Sequence, residues 1–247
     1  MGGVENDKER KEFDRMKKNE NGMHKGNKGA GTRNPELAEL VFVLDRSGSM
    51  SGMARAVIDG FNQLVEKQRR LPGRTLVSVE LFDDRFDVLY DRTELDRVRP
   101  LTEREYFPRG CTALLDAVGR AIRHIARKQR EARPPERPGH TLFVINTDGL
   151  ENASREYTRE RIREMVREEE KYGWEFLFLG ANIDSYAEAH GLGIRAELTC
   201  NVVADAAGWE AQYESVSEAA TCLRSAGSVG TAWRRRVDED YGLRGRK

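Results

Sequence analysis

Apolar residues follow two rhythms along this chain. At residues 40–44 five of them (Leu-Val-Phe-Val-Leu) run without polar alternation and stop at Asp45. Such a run predicts a strand buried on both faces, as in a parallel sheet. Further strands are predicted at residues 76–82, 141–146 and 174–180, and a last one within residues 195–203. Between them the spacing turns helical. Ala54, Val57, Ile58, Phe61, Leu64 and Val65 stripe a first helix, and Leu114, Leu115, Val118, Ala121, Ile122 and Ile125 a second. Ile162, Met165 and Val166 mark a third over residues 155–171. A short helix follows at residues 184–190, and Trp209, Tyr213, Val216, Ala220 and Leu223 stripe the last.

The punctuation fits these elements. Leu71-Pro72-Gly73-Arg74 is a turn. Asp83-Asp84 separates the second strand from a short one near residues 86–90, which predicts a hairpin with an antiparallel edge strand. Residues 91–107 are irregular, and the proline-rich, charged stretch 128–140 reads as an exposed loop. Residues 1–35 mix both charges with Gly and Asn and carry no sustained stripe, so they read as a mobile polar arm. Residues 226–247, with Arg234-Arg235-Arg236, read as a basic tail.

Charge and composition remove whole classes of function. Lys plus Arg and Asp plus Glu balance at 42 each, so no overall field points to nucleic acid or a membrane. The N-terminus lacks the apolar core of a signal peptide. Cys111, Cys200 and Cys222 are scattered, and His24, His124, His140 and His190 show no metal-ligand spacing. These features predict a reduced, cytoplasmic protein, monomeric because no heptad or long apolar stripe is left unassigned.

The chemistry gathers where strands end. Asp45-x-Ser47-x-Ser49 follows the first strand, at the edge where an open α/β sheet keeps its ligand crevice. One carboxylate and two hydroxyls suit a hard divalent cation such as Mg²⁺. The stretch is no serine-hydrolase elbow, because Met50 stands where the nucleophile belongs, and no P-loop, because it lacks the lysine. Taken alone it reads equally as a strand-to-helix turn with Ser49 or Ser51 as a cap. Thr112 follows the flexible Gly110 at a helix start, where threonine more often caps than ligates. The strand at 141–146 then leads to Thr147-Asp148-Gly149, a second carboxylate delivered beside Asp45. A divalent cation would relieve the repulsion between the two. Gly191-x-Gly193 resembles a dinucleotide fingerprint, but a helix precedes it where a strand is required.

Together, Asp45, Ser47, Ser49, Thr112 and Asp148 resemble the metal-ion-dependent adhesion site (MIDAS) of the von Willebrand factor type A domain. The likeness makes residues 36–225 one such domain and is greatest to stand-alone intracellular bacterial members. It implies a doubly wound, mostly parallel sheet with helices on both faces, and Mg²⁺ (or Mn²⁺) at its upper edge. Ser47, Ser49 and Thr112 would contribute hydroxyls, with Asp45 and Asp148 acting directly or through water. The implied function is capture of an Asp or Glu side chain of a partner protein, an AAA+ ATPase or a stress-operon protein among relatives, and not catalysis. Cys111 stands where many members have a second glycine. Two other expectations are weighed against this one: a Mg²⁺-dependent hydrolase of phosphate esters, and a nucleic-acid accessory protein using the tail arginines.

Overall fold

A computed structural model of the chain describes residues 33–245. The arm expected over residues 1–35 lies outside them except at its end, where Asn34 already opens the first strand. Among the described residues six strands form one sheet: β1 (Asn34–Asp45), β2 (Arg74–Phe82), β3 (Phe86–Glu94), β4 (Pro138–Thr147), β5 (Trp174–Ala181) and β6 (Thr199–Val202). Their order is β3-β2-β1-β4-β5-β6, parallel throughout except for β3, which runs antiparallel to β2 at the edge. The helices are α1 (Ala54–Arg69), α2 (Leu114–Glu131), α3 (Arg159–Glu170), α4 (Ser185–Gly191), α5 (Ala206–Ala226) and α6 (Arg235–Arg244). This is the doubly wound α/β architecture with one antiparallel edge strand that the resemblance implies.

Burial explains the uninterrupted apolar run. Every residue of β1 from Leu37 to Asp45 is buried, because helices cover both faces of the sheet. On the α1 and α5 side, Phe61 meets Phe42 edge-on at 5.4 Å. On the α2 and α3 side, Phe143, Trp174 and Phe176 pack together, 5.1 to 5.9 Å between ring centres. The chain walks outward from β1 to β2 and β3, then returns to place β4 on the other side of β1. The order therefore reverses between β1 and β4, and their carboxyl ends open a crevice at that switch point.

Three sequence readings need correction. Residues 128–140 are not an exposed loop: α2 runs on to Glu131 and β4 starts at Pro138. Buried polar bonding holds the extension, since Gln129 donates to Glu39 at 2.9 Å and to Thr141 at 3.0 Å and accepts from the Trp174 indole at 3.2 Å. The third helix starts at Arg159, where the Thr158 hydroxyl accepts the Arg161 N–H, because the residues before it are engaged elsewhere. The tail is folded. Gly227, at φ 75°, ends α5 with a left-handed residue, and the chain returns to bury Val229, Trp233 and Val237. The Trp233 indole donates to Glu197 O at 3.3 Å, and the Val229 N–H donates to the Glu175 carboxylate at 3.0 Å.

One buried acid has no partner. Glu80 on β2 is fully buried with both carboxylate oxygens unbonded, and burial pushes its pKa well above the usual carboxylate range. The neighbouring Asp91 and Glu39 charges push it the same way. Glu80→Met, of similar length, is expected to raise stability by about 1–3 kcal/mol, the cost of a desolvated, unbonded polar group. Urea denaturation checks it, and a destabilised variant would show that Glu80 is satisfied.

Candidate metal centre

The crevice is floored by Asp45, the last residue of β1. The Ser47 N–H donates to one of its carboxylate oxygens at 2.7 Å, and the Thr147 hydroxyl donates to the other at 2.6 Å. The Tyr106 hydroxyl holds its backbone carbonyl. Burial pushes Asp45 up to about 6 even though these bonds and a second from Ser47 oppose it. Asp148, at the tip of the β4 connection, is likewise raised by burial.

The hydroxyls converge on this floor. Ser47 Oγ and Ser49 Oγ are 3.1 Å apart, and Ser49 Oγ donates to Asp148 at 2.5 Å. Thr112 enters from the loop before α2: a Cβ built on Gly149 would lie 3.1 Å from Thr112 Oγ1 and 3.7 Å from Ser49 Oγ. The structure thus brings all five sequence-derived residues together. Asp45, Ser47, Thr112 and Asp148 are buried, while Ser49 is exposed and marks the mouth.

The sequence leaves open whether these hydroxyls cap helices. None of Ser47, Ser49 and Thr112 does. Ser47 makes no cap bond to the short 3-10 turn Gly48–Gly52, and Ala113, not Thr112, holds the cap position of α2. The α2 N-terminus is served across the gap by the loop after β4. The Glu151 carboxylate accepts the Leu115 N–H at 2.8 Å, and Ser154 Oγ accepts the Asp116 N–H at 3.0 Å. Asn152 takes the Thr112 N–H at 2.9 Å and returns its own N–H to Thr112 O at 3.0 Å. Asp116 reciprocates by accepting the N–H groups of Arg155, Glu156 and Tyr157 at 2.8 to 2.9 Å. Glu151 is half-buried and braces the site.

Below the first loop, charge is paired off. Arg46 is buried, its Nε 2.9 Å from Asp83, which also takes Arg109 Nε at 2.8 Å. Burial pushes Asp83 up, but the Arg109 bond, the Arg85 N–H and the Arg46 charge prevail and hold its carboxyl below the usual range. The Gly48 N–H donates to Gly110 O, joining the first loop to the second. Gly110 sits at φ 67°, and a Cβ there would lie 2.1 Å from an Asp84 carboxylate oxygen, so both backbone and space demand glycine.

No protein-family model matches the sequence, and no curated protein matches it. Solved structures share its fold. Proximal thread matrix protein 1 from the mussel byssus aligns in one crystal form with a TM-score of 0.51 at 18% identity, over 73% of this chain and 45% of that one. The same mussel protein with a zinc-occupied MIDAS motif aligns with a TM-score of 0.52 at 17% identity, over 76% of this chain and 46% of that one. This chain spans a little under half the length of those chains. The chain has the von Willebrand factor type A fold.

In this type A fold the donor set suits a hard divalent cation. Three neutral hydroxyls and two carboxylates offer oxygen alone, and a positive charge among them would favour the ionised form of both raised acids. Among the described residues no group of three or more His, Cys, Asp or Glu side chains gathers to hold a metal. Residues that sequence reasoning missed here are Thr147, Tyr106, Asn152 and Asp116. Only Thr147 gave a signal, as the residue before the second acid.

Proposed function

We propose that this chain is a metal-dependent protein-binding module that captures an Asp or Glu side chain of a partner through a divalent cation, Mg²⁺ or Mn²⁺. The observation that supports this reading best is the convergence of three hydroxyls that no helix uses as caps, with two carboxylates, at an exposed mouth. Ser47, Ser49 and Thr112 would hold the cation with neutral oxygens, and Asp45 and Asp148 would hold it directly or through water. When bound, the cation supplies positive charge toward the mouth for an incoming carboxylate. The protein's own part is positional: Thr147 and the Ser47 N–H fix the Asp45 carboxylate, and Ser49 fixes Asp148.

Binding rather than turnover fits these residues. A carboxylate pair engaged in holding an ion, flanked by hydroxyls, leaves no acid–base pair free for catalysis. No helix among the described residues is long and apolar enough to cross a membrane. We read the protein as a cytoplasmic monomer whose partners include, as classes to test, AAA+ ATPases and stress-operon proteins. A pull-down from a lysate of the source cells, with Mg²⁺ or with EDTA, tests the function. A protein retained by the wild type in Mg²⁺ is expected to be lost in EDTA and with Asp45→Ala. Capture that survives both treatments would overturn the reading.

A further inference from the structure

An open cleft of about 900 Å³ lies beside the loop that carries Thr112, whose neighbours Cys111 and Ala113 line it, and is bounded by the turn at residues 84–86, by Gly110 and by the loop at residues 153–156. Two of these walls belong to the site itself. Gly110 is bonded to Gly48 of the first loop, and Asn152, next to Ala153, bonds both ways with Thr112. The cleft and the site thus share the loop that carries Thr112.

The cleft is lined by Arg85, Arg120, Arg123 and Arg155. Arg120 lies 2.6 Å and Arg123 3.9 Å from the one Glu156 carboxylate. Arg85 and Arg155 are exposed, and their guanidinium groups form no ion pair with an acid among the described residues. The Asp116 carboxylate is consumed by three backbone N–H groups. Arg85 and Arg155 are thus the lining arginines left without an acid partner among the described residues, with Asp84 the one exposed carboxylate beside them.

We infer that this cleft is a second acidic subsite, so that the partner's binding segment carries two acidic side chains, one for the cation and one for Arg85 and Arg155. The inference rests on the proposed metal-dependent reading for the first contact only. The second needs no metal. A guanidinium fork matches a carboxylate with two parallel hydrogen bonds, which favours this ligand class. A nucleic-acid strand fits worse: Phe86 is the single aromatic ring among the described lining residues, so successive bases find no row of rings to stack on.

Hexaglutamate is the probe and Cys111 the reporter, because Cys111 is exposed in the cleft wall while Cys200 is buried. Cys222→Ser, in the full chain, leaves Cys111 as the accessible thiol. In EDTA at low salt, saturating hexaglutamate is expected to slow alkylation of Cys111 by iodoacetamide about threefold, with protection fading at about 0.5 M salt. The protection is expected to vanish in the Arg85→Glu, Arg155→Glu double variant. With Mn²⁺ present, calorimetry is expected to show hexaglutamate binding about tenfold more weakly to the double variant, at unchanged Mn²⁺ affinity. Wild-type protein left unprotected in EDTA would overturn the cleft even if Mn²⁺-dependent binding persisted. Protection in EDTA with no gain from Mn²⁺ would keep the cleft and sink the metal reading. Stronger protection by a single-stranded oligodeoxynucleotide would overturn the assignment to an acidic peptide.

Discussion

Asp45→Asn is expected to make the metal-free protein more stable and, at the same stroke, blind to divalent cations. The Asp45 carboxyl has a pKa of about 6 in the fold against an ordinary 3.8, because burial penalises its charge. A group raised in this way contributes its full stabilisation below its unfolded pKa and loses it as pH rises through the folded one. Wild-type stability in EDTA should therefore fall between about pH 4 and 6 and stay lower by roughly 3 kcal/mol at neutral pH. Asparagine carries no charge and fits the same bonds. Its oxygen accepts the Ser47 N–H, its NH₂ donates to Thr147 Oγ1, and that hydroxyl turns to Gly149 O, 3.1 Å away. The expected gain at about pH 7.5 in EDTA is 2–3 kcal/mol. In Mn²⁺ at about a hundred times its dissociation constant the wild type should gain about 2.7 kcal/mol and the variant nothing. Urea denaturation across this pH range, with and without Mn²⁺, reads all of it. A variant that is weaker in EDTA, or that still responds to Mn²⁺, would refute the assignment.

Trp233→Ala is expected to cost about 3–5 kcal/mol, the range for emptying a tryptophan-sized space in a core. Trp233 is fully buried, and Val237 one turn on is buried with it. Arg234 reinforces the seat by donating to Ala196 O at 2.8 Å and pairing with Asp238 at 2.5 Å. Chemical denaturation monitored by circular dichroism measures the loss. A cost below about 1 kcal/mol would mean that residues 228–245 are an appendage and not part of the domain.

That segment shows where the sequence is hard to read. Trp233 and Val237 are two apolar residues four apart in a run otherwise dominated by charge, so no stripe emerges, and the burial becomes evident only once β5, β6 and the turn at residues 196–198 supply a surface. The same holds for Gln129. A polar residue at the end of a helical stripe gives no hint that Glu39, Thr141 and Trp174 wait around it. The central strands were legible because burial on both faces leaves an unbroken apolar run, and the acids at the ends of β1 and β4 were legible because such runs stop abruptly. The five candidate residues could be named through their resemblance, in order and spacing, to the adhesion site of type A domains. That those hydroxyls cap no helix could not be read, since the groups that serve the start of α2 are Glu151 and Ser154, some forty residues away.

The reciprocal lacing between the start of α2 and the loop after β4 carries a dynamic consequence. With Thr112, Leu115 and Asp116 tied to residues 151–157 by paired backbone and side-chain bonds, the two walls behave as one rigid body. A ligand that docks between walls tied in this way has little loop ordering to accomplish, so its association is expected to be limited by encounter. A push on either wall is expected to load both at once, since the bonds that would have to break join the start of α2 to residues 151–157.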